Sequence, residues 1–276
     1  VRAILAGGAC VHPASVHDPI SARIADELGF ELGMLAGSTA SLAVLGAPDL
    51  IVLTLTEFAD LARRITRASS LPLICDADHG YGNALNAMRT VEELEHAGVA
   101  ALSIEDTELP RPYGAPQPRL TSVEEGVAKV RAALSARRDP ALCVFARTGA
   151  AGITGLDDAV ARMRAYGDTG ADALFLTGVT NRAQLDALAA VATLPLVLGQ
   201  LSPELSDREY LAARGVRIAL QGHLPIAAAA QAVHATLRAL REGAQPTDVP
   251  GVAPAGDMKR WMRDAAYDAA TRAYLG

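Results

Sequence analysis

The sequence predicts an α/β fold, a (β/α)8 TIM barrel with a C-terminal helix extension, and three observations predict it. Short apolar, β-prone runs alternate eight times with longer helical stretches before residue 243, the pattern of parallel strands joined by crossover helices. The polar residues Ser38, Asp76, Asp78, Glu105, Arg147 and His223 all fall at the carboxyl ends of predicted strands, the face on which barrel sites are built. No glycine-rich phosphate turn follows the first strand, as an open doubly wound sheet would lead one to expect. Composition does not shift within residues 1–243, which reads as one barrel domain, with 244–276 as linker and C-terminal helix.

The elements follow in order. Ala9 to Val16 is the first strand, and Ser21 to Leu28 a short helix stopped at Gly29. Leu32 to Ala36 is the second strand, ending in the turn Gly37-Ser38-Thr39. A helix runs from about Thr56, as its cap, to Ala68, with Phe58, Leu61 and Ile65 on one face. The third strand begins near Leu71 and ends in Asp76 and Asp78, with Gly80 and Gly82 behind them. Ala84 to His96 is helical and closed by Gly98. Ala101 to Ile104 is the fourth strand, ending in Glu105-Asp106. The stretch Thr107 to Leu120, with four prolines and no periodicity, is long for a strand-to-helix connection, and loops of that length are often functional. Ser122 to Ala136 is a helix, with Ser122 as cap and Glu125 in the capping-box position. The fifth strand, Ala141 to Ala146, ends in Arg147-Thr148. Then come a helix from Leu156 to Tyr166, a strand from Ala173 to Leu176, a helix from Asn181 to Val191, and a strand from Leu194 to Leu198. The helix Asp207 to Arg214, the strand Arg217 to Leu220 and an alanine-rich helix from Pro225 to Arg241 complete the repeats. Gly243 to Gly256 is a Pro- and Gly-containing linker to a last helix, Asp257 to Tyr274.

Composition bounds the function. A chain of 276 residues, 50% hydrophobic, can bury a large core. Net charge is −6 with basic residues scattered among acidic ones, so no stripe exists to track a phosphate backbone and nucleic acid is not expected as a partner. No apolar run approaches the roughly 20 residues of a membrane span. The three cysteines, Cys10, Cys75 and Cys143, are far apart and sit in predicted strands, which suits reduced core residues of a cytoplasmic protein. The residues Val1 to Cys10 lack the pattern of a signal peptide, and the start at Val1 rather than Met leads us to expect a preceding segment.

Two acids one residue apart are expensive to bury without a cation or a hydrogen-bond network. Asp76-x-Asp78 is therefore a hard-metal site or a solvated turn, and the second acidic pair one strand later favours the metal. Asp76, Asp78 and Glu105 offer oxygen ligands with no thiolate or His pair beside them, which suits Mg2+ or Mn2+ rather than structural zinc. Arg147 offers a planar fork for a substrate carboxylate, or else a structural bridge to Asp76. The Gly37-Ser38-Thr39 turn supplies backbone donors for an oxyanion. His223 reads equally as a site residue or a turn histidine. Ser38 has no His and Asp partners in a recognisable order and is not a hydrolase nucleophile. Together these residues describe a site for a small anionic 2-oxo acid, with the metal as Lewis acid for its enolate.

The block LICDADHGYGNALNAMRTVEELEHAGVAALSIED, Leu73 to Asp106, closely resembles the signature of the isocitrate lyase and phosphoenolpyruvate mutase superfamily, and the resemblance extends from about Ala9 through His223. The resemblance implies that Asp76 is the direct Mg2+ ligand, with Asp78 and Glu105 acting largely through metal-bound water and Asp49 as a further acid near the metal. It implies that Gly37, Ser38 and Thr39 hold a substrate carboxylate or oxyanion, and Arg147 the substrate carboxylate. It also implies a homodimer or homotetramer whose last helices are swapped between subunits.

Departures narrow the subclass. Isocitrate and methylisocitrate lyases carry Lys-Lys-Cys-Gly-His after the Glu-Asp pair; this chain has Thr107-Glu108-Leu109-Pro110-Arg111-Pro112-Tyr113, without their acid. Phosphoenolpyruvate mutases keep a Lys where Thr107 stands. The chain is most similar to the oxaloacetate decarboxylase branch, in its stretch Ser15 to Ala25, its Glu105-Asp106-Thr107 and its Gly222-His223. One difference stands out: Gly199-Gln200-Leu201 follows strand seven where that branch presents a Tyr. Decarboxylation accommodates the missing acid, because carbon dioxide leaves neutral and water or His223 can protonate the enolate. The expectation is thus a Mg2+-dependent carboxy-lyase converting oxaloacetate to pyruvate. The alternatives are a lyase for another carbon–carbon bond, of isocitrate, methylisocitrate or 2-alkylmalate type, a carbon–phosphorus enzyme, or a barrel that binds 2-oxo acids without turnover.

Overall fold

Side-chain periodicity along the strands decides which residues reach the site. The computed structural model describes residues 1–276. Its strands are β1 (Ala14–Ser15), β2 (Gly33–Leu35), β3 (Leu73–Asp76), β4 (Ala101–Glu105), β5 (Cys143–Thr148), β6 (Ala173–Leu176), β7 (Leu196–Leu198) and β8 (Val216–Ala219). They pair in sequence order, all parallel, with helices outside. The sheet curls until Val11 pairs with Ile218: Val11 N–H donates to the Arg217 carbonyl at 2.9 Å, and Ala219 N–H to that of Val11 at 3.0 Å. The barrel therefore closes, as expected. The continuous first strand from Ala9 to Val16 does not form. Val11 serves β8 and Ala14–Ser15 serves β2, with Pro13, which has no N–H to give a ladder, between them.

Successive residues of a strand face opposite sides. Ile74, Ala101, Cys143, Phe145, Ala173, Phe175, Val197 and Ile218 point inward and fill the barrel with Met34, and Leu5 belongs to the same cluster. Leu73, Cys75, Leu102, Ile104 and Val144 point outward and pack with Phe58, Leu61, Ile65 and Val91 of the surrounding helices. Counting two residues up from Ile74, four from Ala101 and four from Cys143 reaches Asp76, Glu105 and Arg147. All three continue the inward rows at the carboxyl mouth.

Most helices form where the sequence places them. Ala84–His96 matches residue for residue, Asn83 accepting from the Leu85 amide as cap. Val123–Ala136 starts on Ser122, whose hydroxyl accepts from the Glu125 amide at 3.1 Å. The helix Leu55–Ala68 is capped by Thr54 rather than Thr56, because Thr54 closes a reciprocal capping box with Glu57. Three α-helices were not expected: the short Arg2–Ala6, Gly37–Leu45 in place of a simple turn, and the short Ala150–Ile153. The terminal helix is also two, Ala255–Met262 and Asp264–Tyr274, broken at Arg263, whose φ of 62° is left-handed.

The eighth barrel helix, Leu224–Arg241, buries none of its residues, and Leu224, Val233 and Leu237 stand exposed. Beside its start, Ile20, Ile24, Leu28 and Phe30 line an open groove of about 580 Å³. The helix Ala255–Met262 docks on Pro19–Glu27, where Arg260 pairs with Glu27 at 3.0 Å and Arg23 donates to the Trp261 carbonyl at 2.9 Å. No helix is long and apolar enough to cross a membrane.

Candidate active site

The carboxyl mouth of the barrel opens into a cavity of about 470 Å³. Ser38, Asp49, Asp76, Asp78, Glu105, Arg147 and His223 all line it. Gly37 and Thr39, also expected there, do not line it.

Asp76 ends β3 and is buried; its Oδ1 accepts from Ser103 Oγ at 3.0 Å and from the Asp78 amide at 3.3 Å, and its Oδ2 accepts from Arg147 Nη1. Asp78 follows in a left-handed conformation, φ 47°, that Asp tolerates better than most residues. Its carbonyl accepts from the Glu105 amide at 2.8 Å, tying the turn to β4. Gly37 meets this turn: a Cβ there would lie 2.7 Å from Asp78 Oδ2, so only glycine allows the approach. Glu105, also buried, accepts from Thr107 Oγ1 at 3.0 Å and lies 3.3 Å from Arg147 Nη2. Arg147 thus spans Asp76 and Glu105, its guanidinium carbon 5.3 Å from the Phe175 ring centroid and its buried Nε without an acceptor. The structural bridge to Asp76 allowed by the sequence is present.

The electrostatics follow from this crowding. Burial drives Asp78 well above the usual carboxylate range, and the charges of Asp76 and Glu105 push it further. Burial also raises Glu105, although Arg147 opposes it. Asp49, on the open rim, is raised by partial desolvation and by the Asp76 charge. Burial alone would weaken the Arg147 charge, but Asp76 and Glu105 outweigh it and raise its pKa. His223 is lowered by burial despite Asp76 and Asp49, and so favours the neutral imidazole.

Ser38 belongs to the first turn of Gly37–Leu45, a helix whose cap position is Ala36 and carries no side-chain hydrogen bond. Its leading N–H groups are therefore left for an anion. Thr39 is buried and its hydroxyl donates to the Ala36 carbonyl at 2.9 Å, so its side chain is committed to the turn. His223 leads into Leu224–Arg241, and its Nδ1 lies 2.9 Å from Ser15 Oγ.

Sequence reasoning did not single out Ser15, Ser103 or Thr107 as side chains that orient the site. Ser103 and Glu105 share a strand face, so the period-two rule offered a signal for one of them; nothing local linked Ser15 to His223. The Glu105-Asp106 pair also divides. Asp106 points outside the barrel, where its carboxylate accepts from Arg162 Nη1 at 2.9 Å and from the Tyr166 hydroxyl at 2.7 Å.

The donor set fits a hard divalent cation: Asp76, Asp78, Glu105 and Asp49 offer oxygens only, negative charge exceeds what Arg147 neutralises, and the raised carboxyls mark an electrostatic demand for more positive charge. In the arrangement described, no three acidic, His or Cys side chains converge on one point, and Arg147 lies between Asp76 and Glu105.

A sequence model of the phosphoenolpyruvate phosphomutase family matches residues 1–241. An oxaloacetate decarboxylase of Bradyrhizobium sp. (strain BTAi1) is 58% identical over 275 residues, 100% of this chain and 96% of the relative. Among solved structures, oxaloacetate acetylhydrolase in complex with the inhibitor 3,3-difluorooxalacetate superposes with a TM-score of 0.85 at 30% identity, over 99% of this chain and 95% of that one. Phosphonopyruvate hydrolase in complex with oxalate and Mg++ superposes with a TM-score of 0.88 at 29% identity, over 100% of this chain and 98% of that one.

Proposed function

The chain belongs to the phosphoenolpyruvate mutase and isocitrate lyase superfamily, and from that premise we propose that it is a Mg2+-dependent carboxy-lyase that decarboxylates oxaloacetate to pyruvate and CO2. The observation that carries the reading is one cavity combining Asp49, Asp76, Asp78 and Glu105 with Arg147 and His223, in a chain 58% identical to an oxaloacetate decarboxylase.

Asp76, Asp78 and Glu105, with Asp49 on the rim, would hold the divalent cation, Mg2+ or Mn2+. When bound, the cation supplies Lewis-acid polarisation of the 2-oxo group. Arg147 and the leading amides of Gly37–Leu45 receive the carboxylate next to that group and fix the plane of the substrate. The C3–C4 bond then breaks, its electron pair moves toward the 2-oxo oxygen, and CO2 leaves neutral. A proton returns to C3 from water or from His223 in its imidazolium form, which becomes neutral and is recharged from solvent; the ring is held with Nδ1 2.9 Å from Ser15 Oγ. Leu50, Ile51 and Leu109 give the cavity an apolar flank.

The same reading extends to the assembly. A helix of 18 residues with nothing buried, beside an apolar groove, supports a homodimer or homotetramer in which Leu224–Arg241 packs on a second copy of the chain. The division into a barrel domain, 1–243, and a linker with C-terminal helices, 244–276, accords with this. Three free, buried cysteines support a cytoplasmic setting.

The experiment is pyruvate release from oxaloacetate with Mg2+, run against EDTA, a blank with Mg2+ but no protein, and Asp76→Asn. Turnover above the blank that disappears with EDTA and with Asp76→Asn is expected. Wild-type turnover no faster than the blank would overturn the assignment.

A further inference from the structure

A 2-oxo dicarboxylate brings two negative charges into a cavity already lined by Asp49, Asp76, Asp78 and Glu105. A divalent cation and Arg147 together supply three positive charges against those four, so they leave nothing over for the far carboxylate. That group needs a cation of its own.

Only three basic side chains line the cavity: Arg147, His223 and Arg111. Arg147 has its terminal nitrogens turned toward Asp76 and Glu105 and is assigned to the carboxylate beside the 2-oxo group, at the opposite end of the substrate from the far one. His223 holds Ser15 through Nδ1, and burial favours its neutral form. Arg111 is exposed at the rim, and no ion pair or side-chain hydrogen bond within the chain engages it.

Its place in the chain holds it over the mouth. The segment after β4 leaves Glu105 on the cavity wall, and Thr107 then pairs with Leu120 in an antiparallel bridge, with the Glu108 amide donating to the Arg119 carbonyl at 2.8 Å. The loop is thus pinned at its base. Between those points Leu109 and Pro118 line the same wall as Arg111 and offer no polar group to compete for it.

Resting on the decarboxylase reading, we propose that Arg111 determines specificity for dicarboxylates: its guanidinium receives the far carboxylate of the substrate, the group that departs as CO2. This ion pair is strongest before reaction, because the carboxylate loses its charge as the C–C bond breaks. Arg111 therefore contributes to substrate binding and selectivity, not to acceleration of the chemical step. It also distinguishes a substrate with two carboxylates from a shorter 2-oxo acid that satisfies only the metal-side half of the cavity.

The test compares wild type, Arg111→Met and Arg111→Lys in Mg2+, by calorimetric binding of malate, which carries the far carboxylate but cannot decarboxylate, and of oxalate, which lacks it. Oxaloacetate kinetics run alongside. In Arg111→Met, malate binding is expected to weaken on the order of ten- to a hundredfold, the range of a lost charge-assisted hydrogen bond. Oxalate binding stays within about twofold, the KM for oxaloacetate rises by a factor similar to that for malate, and kcat holds or increases. Arg111→Lys recovers part of the malate affinity. Equal weakening of malate and oxalate, or no change in either, would overturn the proposal. A wild type that releases no pyruvate above the blank would instead overturn the decarboxylase reading, and the malate-to-oxalate contrast would still report on Arg111.

Discussion

Arg147→Met isolates the charge balance of the site. The arginine side chain is 17% exposed and bridges Asp76, 12% exposed, and Glu105, 7% exposed, so its removal leaves buried carboxylates facing one another with no cation. Removing one partner of a buried pair costs about 3–5 kcal/mol. In a domain of this size about 1 kcal/mol moves Tm by roughly 2–4 °C, so the metal-free variant should melt about 6–20 °C below wild type. Mg2+ at about 100 times its Kd returns roughly 2.7 kcal/mol, and the variant should bind it more tightly than wild type because a competing positive charge has gone. The assay is differential scanning calorimetry in EDTA and in graded Mg2+. Asp76→Asn and the double variant close a thermodynamic cycle, in which the double variant should lose less than the sum of the single losses. If Arg147→Met melted with wild type in EDTA, the account of Arg147 as the counter-charge of these carboxylates would be wrong.

Three other outcomes follow from the same geometry. Asp78, Glu105 and Asp49 have folded pKa values above their unfolded ones, so the folded chain keeps protons that the unfolded chain has released; these groups favour folding at low pH and subtract stability as pH rises through the raised values. Mg2+ uptake at roughly pH 5, just above the ordinary carboxylate range, should therefore release protons and weaken as pH falls, which calorimetry in buffers of different ionisation enthalpy measures; uptake without proton release would contradict the raised values. Gly37→Ala places a methyl 2.7 Å from Asp78 Oδ2 and should lower Mg2+ affinity by about ten- to a hundredfold, read by titration; unchanged affinity would remove Asp78 from the metal site. Tyr166→Phe removes a 2.7 Å hydrogen bond to Asp106 outside the barrel and should cost about 1–3 kcal/mol in denaturant melts while kcat stays at wild type.

The barrel and the rim residues were readable because both rest on period-two alternation: a strand reading Ile74-Cys75-Asp76 fixes which side faces the axis as soon as one residue is assigned. Helices with polar caps were equally readable, as at Ser122. Gly37–Leu45 was not, since it begins after Ala36 with no capping side chain and opens on the turn-like run Gly37-Ser38-Thr39, so its start exists only in three dimensions. Pro13 divides the first strand between two neighbours, a consequence of closure that no local pattern carries. The site divides the same way. Residue types and spacing gave Asp76, Asp78, Glu105 and Arg147, whereas Ser15 and Ser103 emerge only from contacts 208 and 27 residues apart in sequence. The exposure of Leu224–Arg241 was likewise invisible to a pattern that matches any surface-packed helix.

The closure between the first and last strands is the thinnest joint in the barrel wall, a single Val11–Ile218 bridge where the other neighbours share ladders of two to five paired residues. Ser15 and His223 stand on opposite sides of that joint, as do His12 and the Ala219 carbonyl at 2.7 Å. Any breathing of the seam separates Ser15 from His223 and frees the imidazole to rotate while the rest of the wall is intact. The orientation of the His223 ring thus doubles as a latch indicator for the whole cylinder.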